Sequence, residues 1–392
     1  MRLLSQTWVV IIMNIRSLPA RFSMSLATIF AVAAVVGVLL FFLAMGNGFR
    51  ATLEGAGSDA VAVVTREGSQ SEINSVLGRD QVNLIANAPG IARDDAGNPL
   101  ISAELYVIVD GIKESTKTKV NLPLRGLSQA GFDLRDNVKI TDGRMFSPGR
   151  NEIIVGKGVL KEFGGFSLGK KITFGKTTWE VVGIFTTGGS AFESELWADA
   201  RSVQDQFRRG NSFQTMRLRL ETPGDVSALQ AYAKTDPRLN VKIETEANYF
   251  STQGDAIKGY VIFGWGVSII MGLGALAGAL NTMYTSVASR AREIATLRAI
   301  GFSNVSAFMG TLVEGILLSL LGGVLGIVAT YLFIDGNSAA TIGASFTQVV
   351  FTFTLSPDLM VQGGWIALAI GVLGGFFPAF RAARLPVVIA FE

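Results

Sequence analysis

The chain has 392 residues, 49% hydrophobic and only 17% charged, with a formal net charge of +3. It contains no cysteine and no histidine, which excludes disulfides, thiolate metal sites, cysteine nucleophiles and histidine-based acid–base chemistry. So low a charged fraction is unusual for a chain kept in water by its surface, and it points away from a soluble enzyme.

Residues 1–21 carry Arg2, Arg16 and Arg21 without an acid around an apolar middle. They read as an amphipathic interfacial helix, with Trp8 at the headgroups and Pro19 breaking it from the first span. That span, residues 22–45, is uncharged and almost wholly apolar, and about 20 such residues cross the hydrocarbon core as a helix. The run is too long, and too far from the start, for a cleaved signal sequence. Residues 46–257 form a large domain whose short alternating runs, such as 60–66 and 216–221, read as half-buried strands. The expectation there is a mixed α+β part built from both ends, with a β-rich part, about 121–214, inserted in it. A second span occupies 258–284, then come a basic segment at 285–304, a third span at 305–333 with Glu314 as its sole charge, a loop at 334–358, a fourth span at 359–380 and a tail at 381–392. The fold class expected is therefore a membrane α-helical protein with four transmembrane helices and a large α+β domain between helices 1 and 2.

The short loops set the orientation, because lysine and arginine stay on the cytoplasmic side. Arg2, Arg16 and Arg21, then Arg290, Arg292 and Arg298, then Arg381 and Arg384 mark one side, whereas loop 334–358 has two aspartates and no base. Both termini are expected in the cytoplasm and the large domain outside, in the periplasm of a cell with an inner membrane. Between Arg50 and Lys258 there are 26 bases and 26 acids, so the positive excess belongs to the membrane edge and not to nucleic-acid binding.

Some patterns invite over-reading. Residues 164–171 nearly spell a phosphate-binding loop, but Lys171 stands where a hydroxyl is needed and a strand comes next in place of a helix. The acid pairs Asp94/Asp95 and Glu193/Glu195 sit in turn-rich sequence and read as solvated. Glycine pairs at Gly274/Gly278, Gly322/Gly326 and Gly371/Gly375 have the spacing that lets membrane helices approach closely. Glu314 is expected to pair with a basic residue from a neighbouring helix near the cytoplasmic interface. No catalytic, metal or cofactor site is expected in this chain.

The stretch 281–326 resembles the signature of the MacB/FtsX-like permeases, the membrane subunits of mechanotransmission ABC transporters. Arg290, Glu293, Ile294, Leu297, Arg298, Ala299, Gly301, Glu314, Gly322, Gly323 and Gly326 occupy its motif positions. The closing segment, Gly374, Gly375, Pro378, Ala379, Arg381, Ala382, Ala383, Arg384 and Pro386, matches the family ending. The resemblance implies that Arg290, Arg292, Glu293, Ile294, Leu297, Arg298 and Gly301 form a coupling helix that docks on a cytoplasmic ABC ATPase, with ATP and Mg held by that partner. Ile294 and Leu297, three apart, form the apolar stripe suited to its groove. Because about 20 residues precede the first span, the ATPase is expected on a separate chain. The family also implies a homodimer or a pair with a related permease, helices continuing spans 1 and 2 as stalks, a periplasmic membrane-fusion adaptor and an outer-membrane channel. Export or extrusion is the leading expectation. The alternatives are an FtsX-like regulator of cell-wall hydrolases and a LolC/LolE-like lipoprotein-releasing subunit.

Overall fold

The computed structural model describes residues 2–17, 22–343, 345–386 and 388. In chain order they form α1 (Arg2–Ser17), α2 (Phe22–Glu54), β1 (Val61–Arg66), β2 (Leu77–Gly78), α3 (Arg79–Ala86), β3 (Ile101–Ile112), β4 (Lys119–Leu127), α4 (Gln129–Asp133), β5 (Lys139–Gly143), β6 (Glu152–Gly156) and α5 (Lys157–Glu162). Then come β7 (Lys171–Phe174), β8 (Thr177–Thr186), β9 (Leu196–Asp199), α6 (Ala200–Gln206), β10 (Ser212–Phe213), β11 (Thr215–Arg219), α7 (Val226–Thr235), β12 (Val241–Thr245) and α8 (Glu246–Gly254). The chain closes with α9 (Lys258–Ser289), α10 (Ala291–Ala299), α11 (Asn304–Phe333), β13 (Ser338–Ile342), β14 (Gln348–Thr352) and α12 (Pro357–Ala383). Two compact units result. A membrane unit holds residues 1–47, 259–336 and 354–392, and a sheet unit holds 48–258 and 337–353.

In the membrane unit, four helices are long and apolar enough to cross a bilayer, those containing α2, α9, α11 and α12. Apolar residues ring each of them, so backbone proximity and not an amphipathic stripe decides which faces meet. A Cβ on Gly322 would lie 2.6 Å from the Ile29 carbonyl oxygen, and one on Gly326 2.6 Å from that of Ala33. These glycines therefore let α11 lie directly on α2. On another face of α11, a Cβ on Gly371 would come 2.9 Å from the Ile316 Cα, one on Gly323 2.5 Å from the Ala367 Cβ, and one on Gly375 3.4 Å from the Leu312 oxygen. Gly374 sets α12 against α9 in the same way, 3.0 Å from the Ala279 Cβ. At Gly274 and Gly278 nothing among the described residues lies within 4 Å of either added Cβ. That face of α9 packs on no helix among the described residues.

The helices outrun their apolar runs. α2 continues past residue 45 to Glu54, and α9 continues past 284 to Ser289, so only Ala291–Ala299 of the basic segment is a separate helix. The break expected at Pro19, the arginine at position 21, residue 387 and residues 389–392 lie outside the described residues. α1 is more than a surface float. Its Val10 is buried and meets Gly310 of α11, Thr7 Oγ1 lies 3.2 Å from Ser306 Oγ, and Leu4 and Trp8 remain exposed.

The sheet unit is organised by one ten-stranded sheet in the order β12-β1-β11-β3-β4-β9-β6-β8-β5, with β7 on β8. The β-rich part continues the same sheet through a shared strand. Residues 101–104 of β3 pair with β11, while 105–112 pair with β4. β4–β9 and β6–β8 are parallel; the other pairs are antiparallel. One apolar core runs from Ile243 and Leu229 through Leu105 and Leu124 to Trp179. β11 was expected to be half-buried, yet Thr215–Leu218 are all buried, because the strand is internal to the sheet and covered on both faces. The expected loop 334–358 contains the hairpin β13–β14, which belongs to the sheet unit. Tyr106 Oη lies 3.1 Å from Thr347 Oγ1, and Ser194 Oγ accepts the Val350 N–H at 2.8 Å. The segment resembling a phosphate loop is a pair of turns, with Gly165 and Gly169 at positive φ, leading into β7.

Candidate functional site

At the basic end of the membrane unit, Arg290 sits between α9 and α10 and is 7% exposed. Burying a guanidinium is costly unless its donors are met, and they are. Arg290 donates Nε to Glu293 at 3.1 Å, Nη1 to Glu314 at 3.3 Å, and Nη2 to Asn14 Oδ1. Glu314, 3% exposed on α11, also accepts from Ser286 Oγ at 3.3 Å. One arginine thus ties α1, α9, α10 and α11 together. The far end of α10 is fixed by a Schellman turn. Gly301 adopts φ +101, the Phe302 N–H reaches the Leu297 carbonyl at 3.1 Å and the Gly301 N–H that of Arg298 at 3.1 Å. Ser303 then caps α11 by accepting the Ser306 N–H. Arg298 donates to the Leu385 carbonyl, and Arg381 lies 5.7 Å from the Tyr284 ring centroid.

This geometry corrects the reading of the apolar stripe. Ile294 is buried against Val287 and Ala382, and Leu297 is half-buried beside Val10 and Phe302. The stripe anchors α10 to its own membrane helices. The side left facing outward is Arg292, Glu293, Thr296, Ala299 and Ile300, the last 70% exposed. Gly301 serves the turn.

A second constellation lies at the strand junction of the sheet unit. Arg125, Arg135 and Arg217 meet Glu72, Glu104, Glu195 and Glu246, and none of the seven is more than 6% exposed. Glu104 accepts from all three arginines at 2.8–3.0 Å. Glu72 accepts from Arg125 at 2.8 and 3.2 Å and from Arg217 at 2.7 Å. Glu195 accepts from Arg125 twice and from Trp197 Nε1, each at 2.7 Å. Burial opposes ionisation of Glu72, but Arg125 and Arg217 override it and hold its pKa at about 2. For Glu104, burial is likewise outweighed by Arg135, Arg217 and Arg125, which keep it far below the ordinary range. Burial pushes the Tyr106 and Tyr249 hydroxyls up. The cavity alongside holds about 50 Å³, room for water molecules and not for an organic substrate. The acid pairs converge on no reaction centre. Glu193 accepts the Thr187 and Gly189 N–H groups, Glu195 belongs to the cluster, and Asp94 closes a turn with Ala96 and Asn98.

The pattern of the MacB-like periplasmic core domain matches residues 24–236, and that of the FtsX-like permease C-terminal region matches 265–387. The chain belongs to the MacB/FtsX-like permease family. It is 23% identical over 404 aligned residues to the macrolide export ATP-binding/permease protein MacB of Neisseria meningitidis, covering 95% of this chain and 59% of that one. It is also 23% identical to the ABC transporter permease YvrN of Bacillus subtilis, covering 94% of each. The chain thus spans about three fifths of the MacB proteins it matches. The crystal structure of the periplasmic region of MacB from Actinobacillus actinomycetemcomitans aligns with 50% of this chain and 92% of that one, at 13% identity and a TM-score of 0.37. As a multi-pass membrane permease of this family, the chain carries β1–β11 of its sheet unit in the segment matched by the periplasmic core pattern, with β12–β14 outside it. Sequence reading missed Asn14, Ile300, the β13–β14 hairpin and six members of the buried cluster, and it took the seventh, Glu195, for a solvated acid although it is 6% exposed. The available signal was a charge with uncharged neighbours inside a strand, as with Glu104 in β3 and Arg125 in β4.

Proposed function

We propose that this chain is the permease subunit of an export machine in which an ATPase docks on the outward side of α10. Both termini and α10 lie in the cytoplasm, and the sheet unit lies in the periplasm. The observation that carries this reading is the seating of α10: pinned at one end by Arg290 and Glu314 and at the other by the Gly301 turn, it presents Thr296, Ala299 and Ile300 outward. A helix held at both ends moves its supports when pushed, so α1, α9 and α11 receive the motion together. Arg16, Arg292 and Arg298 near this end, against Asp335 after α11 and Asp358 at the start of α12, support the orientation. Two copies pair, and the unpacked side of α9 with Gly274 and Gly278 supports a close helix partner there. ATP and Mg bind the ATPase, and a periplasmic adaptor receives the motion. An outer-membrane channel completes the route.

Ile300→Asp tests it. The variant should insert and purify as a folded membrane protein while losing its ATPase in detergent pull-down. Undiminished recovery of the ATPase refutes docking at this face. The proteins recovered with the wild type also separate export from the alternatives: an adaptor fits export, a cell-wall hydrolase fits an FtsX-like regulator, and a lipoprotein carrier fits a LolC/LolE-like releasing subunit.

A further inference from the structure

The buried cluster contains four carboxylates and three guanidiniums, so with every group charged it would hold one uncompensated negative charge away from water. Such a charge is costly enough that a group takes up a proton instead. The contacts say which one. Glu195 accepts three hydrogen bonds, Glu104 four, and Glu72 two together with an ion pair to Arg217, all but one of these contacts from arginine. Glu246 accepts one, from Arg217 Nε at 2.8 Å, and that arginine is shared with Glu72 and Glu104. Glu246 is 3% exposed.

We infer that Glu246 is a proton-binding site, protonated in the folded protein, and that its proton holds α8 against the sheet. The charged groups around it agree. Arg217 on β11 is divided among three carboxylates, and Arg135 is committed to Glu104. Arg219, also on β11, is bound by Asp136 at 2.8 Å. Glu104 on β3 and Glu72 in the turn at 72–74 add negative charge. On β12, Glu244 and Lys242 pair with each other, and β1 offers only Arg66, exposed at its end. On α8 itself, Tyr249 is buried, and its hydroxyl accepts the Glu72 N–H at 3.3 Å. Burial raises the Glu246 pKa, and the nearby arginines do not reverse it.

The consequence lies in chain order. Glu246 is the first residue of α8, and a single turn at Asp255–Ile257 separates α8 from α9. The grip on the helix entering the second span therefore tracks the pH of the compartment that bathes the sheet unit. A carboxyl with a raised folded-state pKa stabilises fully below its unfolded value and loses that stabilisation as pH rises through the folded value. This inference stands without the ATPase reading, since it concerns the sheet unit alone.

The test uses the purified full chain in detergent. Infrared spectra at neutral pH should contain the C=O stretch of a protonated carboxyl, which fades as pH rises and is absent in Glu246→Gln but present in Asp94→Asn, a change in an exposed turn outside the cluster. The unfolding midpoint of the wild type should fall by roughly 3–5 °C per pH unit between the ordinary carboxyl value and the Glu246 pKa and level off above it, while Glu246→Gln, an uncharged mimic, stays level across that range. Absence of the band in the wild type overturns the inference, and that result needs no variant. So does a band that survives in Glu246→Gln, or identical pH profiles for the two proteins. If Glu246→Gln does not fold, Glu246→Asp should shift the band's titration; an unshifted titration counts against the assignment.

Discussion

Glu104→Gln is the sharpest probe of the cluster that joins the two parts of the sheet. Glu104 is fully buried and takes four hydrogen bonds from three arginines. Glutamine keeps the shape, removes the charge and turns two acceptor sites into donors that face guanidinium groups. Removing one member of a buried ion pair costs about 3–5 kcal/mol. At about 2–4 °C per kcal/mol for a unit of this size, the midpoint of the sheet unit should fall by about 6–20 °C. Thermal unfolding monitored by tryptophan fluorescence reads the sheet unit through buried Trp179 and Trp197, and Trp197 Nε1 donates to Glu195 within the cluster. Asp136→Asn is the control. Its bond to Arg219 is 2.8 Å, but the carboxylate is 76% exposed, so the loss should stay below about 1 kcal/mol. A shift in Glu104→Gln no larger than that of Asp136→Asn would refute the reasoning.

Acid should loosen the same unit from the other direction. Glu72 is held at about 2 against an ordinary 4.5, so its stabilisation is full above the ordinary value and disappears as pH falls toward about 2; Glu72→Gln should flatten that part of the unfolding-versus-pH curve. In the membrane unit, Gly322→Val drives a Cβ into the Ile29 carbonyl and should reduce the yield of monodisperse protein on size exclusion. Gly278→Val, facing open space, should leave that yield intact while weakening association between copies. Arg290→Met and Glu314→Leu should each cost about 3–5 kcal/mol, and the double variant less than their sum. Additive losses in chemical unfolding would show that the pair is not coupled. A cysteine at Lys176, on an exposed turn, should react with an impermeant thiol reagent through a permeabilised outer membrane, and one at Thr296 should not.

The membrane helices were legible because lipid leaves few options: each uncharged run had to be a helix, and only the ends, set by stalk and turn residues, moved. Glu314 was legible as one charge needing one partner. The role of Ile294 and Leu297 was not, since the same i, i+3 spacing describes a helix bound to a partner and one bound to its own chain. What decided it was Ala382, 88 residues after Ile294, packing on the stripe. The buried cluster escaped for a related reason. Arg217 in an alternating strand reads as solvent-facing, and only the position of β11 inside the sheet buries it. The β13–β14 hairpin is short, and its partners Tyr106 and Ser194 lie more than 150 residues away.

The most direct measurement places spin labels at Lys176 in both copies of the chain reconstituted with its ATPase, and records the distance between them with and without a non-hydrolysable ATP analogue. The account predicts that the distance distribution shifts on nucleotide binding and that Ile300→Asp abolishes the shift. A distribution that does not respond to nucleotide, or one that responds equally in Ile300→Asp, contradicts it.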